Sequence, residues 1–121
     1  MSPPEYELHA RRWVADWNAH NLDGILDHYA EDAELVSPFV ARLTGSPQGI
    51  IRGHAALREY FGRALAAYPS LRFDLFRVYP GLQSCVIEYR SVNGLHAAET
   101  VEFNAEGKIR RVLAHYAGSR S

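Results

Sequence analysis

The chain has 121 residues, 47% of them hydrophobic and 22% charged, a balance suited to one soluble globular domain with a real core. Its 13 basic and 14 acidic residues give a net charge of −1, so no basic surplus exists to grip phosphates and no nucleic-acid partner is expected. No apolar run approaches the roughly 20 residues that span a bilayer, and Met1-Ser2-Pro3-Pro4-Glu5 lacks the basic and apolar regions of a signal peptide. A cytoplasmic protein with no membrane contact is therefore expected.

Helical spacing dominates the first half. Tyr6, Ala10, Trp13, Val14 and Trp17 form an apolar stripe on a helix of roughly residues 5–20, preceded by Pro3 and Pro4. Asn21 reads as the N-cap of a short second helix carrying Leu22, Ile25, Leu26 and Tyr29. Glu31-Asp32 should turn the chain into a first strand near Ala33–Ser37, which Pro38 stops. Residues 38–52, punctuated by Pro38, Gly45, Pro47 and Gly49, read as a long connection of the kind that forms pocket rims or lids. A third helix follows Gly53, with Leu57, Tyr60, Phe61, Ala64, Leu65 and Tyr68 on one stripe, and ends at Pro69.

The period then changes to two. Leu71–Tyr79 is a strand whose apolar phase slips between Leu75 and Phe76, as a bulge would cause. Gln83–Val92 follows the Pro80-Gly81 turn, His96–Asn104 follows the hairpin signal Asn93-Gly94, and Lys108–Tyr116 comes last. Cys85 falls mid-strand and reads as a small buried residue; a lone cysteine forms no internal disulfide, and a reducing compartment fits. The order helix, helix, strand, helix and four consecutive strands means α+β: a mainly antiparallel sheet with one apolar face, covered by three helices.

Glu99 breaks that pattern. It shares a strand face with Ala97, Val101 and Phe103, so it points toward whatever that face covers. A carboxylate facing an apolar interior either has a partner or a raised pKa, and both mark candidate sites. A two-residue turn at Glu106-Gly107 sets Glu99 opposite Ala114, Val101 opposite Val112, Ala97 opposite Tyr116 and, on the other face, Glu102 beside Arg111. A two-residue turn at Asn93-Gly94 sets Glu99 opposite Glu88, with Arg90 one step along; a bulge there brings Tyr89 opposite instead. Glu99 is accordingly a structural partner of Arg90, a catalytic acid or base, or a ligand-binding group. A phenol beside a carboxyl of raised pKa would make a donor pair for an enolate-like oxygen.

Trp13, Trp17, Tyr29, Tyr60, Phe61 and Tyr116 fit either a core or the wall of an apolar small-molecule pocket, to which Asn18 and Ser37 would add polar contacts. The histidines His9, His20, His28, His54, His96 and His115 show no metal-ligand spacing, so no metal site is expected. His54, opening a helix, is expected to be solvated, and His115 to face away from the pocket. No phosphate-binding loop or Gly-x-Ser-x-Gly elbow occurs, and no cofactor is implied.

The Trp17-Asn18-Ala19-His20-Asn21-Leu22-Asp23-Gly24-Ile25 stretch, Tyr29-Ala30-Glu31-Asp32-Ala33, the helix Gly53-His54-Ala55-Ala56-Leu57-Arg58-Glu59-Tyr60-Phe61 and the hairpin Asn104-Ala105-Glu106-Gly107-Lys108-Ile109 resemble the SnoaL-like, ketosteroid isomerase-like branch of the nuclear transport factor two superfamily. That resemblance implies a cone: a strongly curved sheet wrapped around a pocket, closed by the helices, and commonly paired into homodimers through the outer sheet face. It fixes chemistry poorly, since the superfamily contains isomerases, polyketide cyclases, dehydratases, epoxide hydrolases and non-catalytic members. Where ketosteroid isomerases carry a general-base Asp before a proline, this chain has Ser37; where their oxyanion Tyr stands it has Trp13; where their protonated Asp stands it has Glu99. Steroid isomerisation by that mechanism is not expected.

The functional expectations are then a cofactor-free isomerase, cyclase or dehydratase acting on a hydrophobic carbonyl compound, with Glu99 as acid/base and Trp13, Trp17, Asn18, Tyr29, Ser37, Tyr60, Phe61, Tyr89, Arg90, Val101, Val112 and Tyr116 around the ligand. The alternatives are a binding protein without turnover, or a dimerisation module.

Overall fold

The computed structural model describes residues 1–118. Helix α1 (Pro3–Asn18) starts in a Ser2/Glu5 capping box, with both prolines inside its first turn, where their missing N–H groups cost nothing. Its buried residues are the expected stripe of Tyr6, Ala10, Trp13, Val14 and Trp17. The Asn21 side chain accepts from Gly24 N at 3.1 Å and opens α2 (Leu22–Asp27). Strand β1 (Tyr29–Val36) begins four residues earlier than expected. Glu31 and Asp32 do not turn the chain; a register shift between Tyr29 and Glu34 leaves both exposed within the strand.

Residues 38–52 are not simply a loop. Ser37 Oγ accepts from Phe39 N at 3.1 Å, Pro38 occupies the first turn, and α3 (Pro38–Thr44) follows, closed by Gly45 at φ 76°. The chain then returns as an edge strand, β2 (Ile50–Arg52), antiparallel to β1. Among the described residues there are four α-helices rather than three. Helix α4 (His54–Ala67) follows Gly53, which sits at φ 90°. His54 is not simply solvated: its Nε2 lies 3.0 Å from Leu26 O and 3.1 Å from Tyr29 O, tying α4 to the α2–β1 link.

Strands β3 (Asp74–Pro80), β4 (Ser84–Arg90), β5 (His96–Phe103) and β6 (Ile109–Ala117) complete an open, six-stranded mixed sheet of order β2-β1-β6-β5-β4-β3, in which β1 and β6 run parallel. The expected bulge in β3 appears between Leu75 and Arg77. Cys85, Ile87, Tyr89, Ala97, Val101, Phe103 and Val112 are buried on the inner face, against the helical stripes.

The β5–β6 register is the expected one: Glu99 opposite Ala114, Val101 opposite Val112, Ala97 opposite Tyr116, Glu102 opposite Arg111. It arises differently, from a tight turn with Gly107 at φ 80° plus a bulge between Glu102 and Phe103. Glu102 forms its ion pair with Arg110 at 3.0 Å, while Arg111 approaches Glu34 at 3.7 Å.

The β4–β5 register matches neither expectation: Ile87 stands opposite Glu99. Asn93 (φ 57°) and Gly94 (φ 71°) do form a left-handed two-residue turn, closed by Leu95 N donating to Val92 O. Ser91 N then donates to Leu95 O at 2.7 Å, an offset of one residue that shifts the whole ladder. Glu88 and Arg90 consequently face outward. Glu88 lies 2.9 Å from His96 Nε2 and accepts from the Tyr79 hydroxyl at 3.0 Å. Arg90 is exposed, its guanidinium 5.6 Å from the Phe76 ring centroid, so it is no partner of Glu99.

Candidate functional site

Between the inner sheet face and helices α1, α3 and α4 lies a cavity of about 70 Å³. Trp13 and Trp17 enter from α1, Tyr29 and Leu35 from β1, Tyr60 and Phe61 from α4, and Tyr89 and Glu99 from the sheet. Half-buried Leu43, Ala64, Tyr68, Val92 and Tyr116 mark the side on which it meets solvent. The wall is largely aromatic. Phe73 and Tyr89 have ring centroids 4.7 Å apart, and Trp13 meets the Tyr89 ring edge-on at 5.3 Å.

The polar groups in this wall are few and placed. Trp13 Nε1 donates to the Tyr29 hydroxyl at 3.1 Å. The Tyr89 hydroxyl donates to Glu99 Oε2. The Tyr89–Glu99 contact comes from the β4–β5 register: with Ile87 opposite Glu99, Tyr89 falls on Glu99's face, diagonally across the ladder. The Trp17 indole N–H is buried and has no hydrogen-bond partner among the described residues, an arrangement that costs about 1–3 kcal/mol unless something in the cavity accepts from it.

Burial pushes the Glu99 carboxyl up to about 7, opposed by the Tyr89 hydroxyl, which favours the carboxylate. The phenols of Tyr29, Tyr60, Tyr89 and Tyr116 are all raised, first by burial and then by the Glu99 charge, so each stays protonated near neutral pH. Among the described lining residues, Glu99 alone changes charge near pH 7. A carboxyl half-ionised there, among neutral donors in an aromatic wall, can give or take one proton.

Of the residues singled out in the sequence, Trp13, Trp17, Tyr29, Ser37, Tyr60, Phe61, Tyr89, Glu99 and Tyr116 line the cavity. Four do not. Val101 and Val112 pack into the core, and Arg90 is on the outer face. Asn18 bridges to Phe73, donating to its O at 3.0 Å and accepting from its N at 2.7 Å, which pins α1 to the start of β3. Phe39, Leu35, Phe73, Ser91 and Ala114 also line the cavity and were not anticipated as site residues. The signal for Phe39 was local: a serine cap followed by proline announces a helix rather than a loop. Among the described residues no group of three His, Cys, Asp or Glu side chains converges as a metal site. No helix among them is long and apolar enough to cross a membrane.

Comparisons with known proteins agree with this fold. A SnoaL-like protein of unknown function from Burkholderia thailandensis superposes with a TM-score of 0.92 at 36% identity, the match covering 98% of this chain and 99% of that one. A cystatin-like-fold protein of unknown function from Methylobium petroleophilum gives 0.78 at 22% identity, covering 100% and 81%. SalBIII, an epoxide hydrolase/cyclase-like enzyme with a role in pyran ring formation in salinomycin, gives 0.77 at 17% identity, covering 94% and 92%. The last two show likeness of fold alone. No curated protein matches the chain in sequence. The SnoaL-like domain profile matches residues 10–112, and the chain belongs to the SnoaL-like domain family.

Proposed function

We propose that this protein is a cofactor-free acid/base enzyme, an isomerase, cyclase or lyase, acting on a hydrophobic carbonyl compound held in the aromatic cavity. The observation that carries this reading is Glu99, 6% exposed, lining the cavity with its carboxyl near pKa 7. As carboxylate, Glu99 removes a proton from the carbon next to the carbonyl; the developing enolate oxygen accepts from a wall donor such as the Tyr116 or Tyr60 phenol. In an isomerisation the proton returns at another carbon. In a cyclisation the enolate attacks an internal electrophile and the proton passes to the leaving or newly formed oxyanion. In a dehydration it passes to the departing hydroxyl.

Two further observations separate this chemistry from the Asp/Tyr steroid mechanism. Ser37 Oγ accepts from Phe39 N as a helix cap, and the side chains that interact with its hydroxyl include the protonated phenols of Tyr60 and Tyr116. Trp13 spends its N–H on Tyr29. Glu99 carries the proton alone.

The reading extends to assembly and compartment. The outer sheet face carries a row running through the register from Tyr79 to Val86, Thr100, Leu113, Val36 and Ile50, crossing all six strands. Tyr79 (46%) and neighbouring Phe76 (44%) are exposed large side chains there, as suits the face of a homodimer. Burial pushes the Cys85 thiol up to about 12, so this cysteine is inert and fits a cytoplasmic protein.

The test is proton exchange. One- and two-ring ketones such as butyrophenone and 2-tetralone are incubated with the protein in D2O, and loss of the α-proton signal is followed by NMR. Catalysed exchange that falls at least about 100-fold in Glu99→Gln supports the enzyme. A ligand-induced rise in melting temperature without exchange leaves a binding protein; neither effect with any ketone refutes the proposal.

A further inference from the structure

A second, more open hollow adjoins the cavity. It lies on the surface where the α4–β3 connection meets the β4–β5 turn, between residues 67–72 and residues 91–93, and its volume is about 300 Å³, against about 70 Å³ inside. Tyr68, Leu71, Ser91 and Val92 line both hollows, so a single layer of side chains separates them. Tyr68 and Val92 are only half-buried, which puts this layer at the cavity's solvent side.

The two hollows differ in charge: only the outer one is lined by a cation. Inside, Glu99 is the ionisable group near neutrality, and no lysine, arginine or histidine lines the wall among the described residues. An anion there would be desolvated beside a carboxyl with no counter-cation. Outside, Arg72 is the one charged residue lining the cleft, alongside Ser70, Ser91 and Asn93. Its side chain is 73% exposed, and its Nε forms a long, exposed ion pair with Asp74 Oδ1 at 3.9 Å, beyond hydrogen-bond reach. Among the described residues no hydrogen bond engages its Nη atoms, so their donors can receive a carboxylate pairwise.

We propose that the outer cleft is a subsite for the anionic tail of the cavity's ligand. The substrate class is thereby an uncharged ring ketone linked by a short chain to a carboxylate. The head passes between Tyr68 and Val92 toward Glu99, and the tail stays in the cleft against Arg72. This inference rests on the ketone-binding reading of the cavity and adds the polarity of the ligand's other end.

The test uses a matched pair, 4-oxo-4-phenylbutanoate and its carboxamide, with butyrophenone as the tail-free head. Dissociation constants are measured by quenching of the wall tryptophans Trp13 and Trp17. The acid should bind about three- to tenfold tighter than the amide at low salt, in line with a solvent-exposed, charge-assisted contact. That advantage should shrink at 0.5 M salt (where screening length falls to about 4 Å), vanish in Arg72→Ala and persist in part in Arg72→Lys. Equal affinities for acid and amide, or an acid preference untouched by Arg72→Ala, overturn the subsite while leaving the ketone cavity intact. Failure of butyrophenone and both tailed ketones overturns the cavity reading, and the subsite with it.

Discussion

Replacing Glu99 by Gln should convert a pH-dependent stability into a flatter one, with a size set by the carboxyl's displacement. In the unfolded chain the group ionises near its ordinary 4.5; in the folded protein it holds its proton to about 7. Below 4.5 both states are protonated and the group contributes no difference. Between 4.5 and 7 the folded state holds more protons than the unfolded one, so stability falls as pH rises, at up to ~1.4 kcal/mol per pH unit. By pH 8 the accumulated loss is about 3 kcal/mol, and the slope ends. Gln cannot ionise, yet it offers the Tyr89 hydroxyl an acceptor of the same shape. The difference between variant and parent should therefore be constant below pH 4.5, grow in favour of Gln through neutrality, and level off above it. Urea unfolding in half-unit steps from pH 4 to 8.5, at one chain concentration, gives this difference directly, provided the m-value is unchanged. A difference that stays level from pH 4.5 to 8 would refute the buried, proton-holding carboxyl.

Other perturbations bear on the same framework. His9 sits against the rings of His28 (5.0 Å) and Phe103 (4.9 Å), and burial, then the charges of His28, Lys108 and Arg12, lowers its pKa to about 4. The unfolded imidazole takes its proton near 6.5 and the folded one only near 4, so this residue costs stability as pH drops through that window; His9→Phe should gain stability at pH 5 relative to pH 7.5, and a pH-independent effect counts against it. Tyr89→Phe removes the hydroxyl that favours the Glu99 carboxylate, so the Glu99 midpoint should rise above that of the parent; an unchanged midpoint would show that the hydroxyl does not reach it. Leu113→Arg, in the middle of the outer-face row, should leave the fold intact and halve the mass seen by light scattering; a parent that is already monomeric at micromolar concentration removes the dimer.

Much of this was legible because side-chain period reports burial. The stripes of α1, α2 and α4 are one-sided, and the alternation Ala97, Glu99, Val101, Phe103 fixes the face of Glu99 before any partner is known. The β5–β6 register, expected from a two-residue turn at Glu106-Gly107, has the expected pairs, but a bulge between Glu102 and Phe103 is part of how the chain reaches them. What escaped was local chain geometry. Asn93-Gly94 announces a left-handed turn, but nothing in its composition reports the Ser91–Leu95 hydrogen bond beside it, and a slip of one residue moved Arg90 and Glu88 to the outer face. In 38–52 the prolines and glycines suggested a loop, whereas Pro38 begins a helix and Gly45 ends it. Nor does periodicity tell a cavity wall from solid core. Val101 and Val112 share Glu99's face yet pack tightly, because the hollow depends on where the helices stand away from the sheet.

The central claim is a buried carboxyl in an aromatic cavity that exchanges its proton near neutrality. Following the Glu99 side-chain carboxyl carbon by 13C NMR from pH 3 to 9 measures it without any ligand. The account predicts a single titration centred near 7, well above the ordinary glutamate value of 4.5. A midpoint near 4.5 would contradict it, and with it the acid/base role given to this residue.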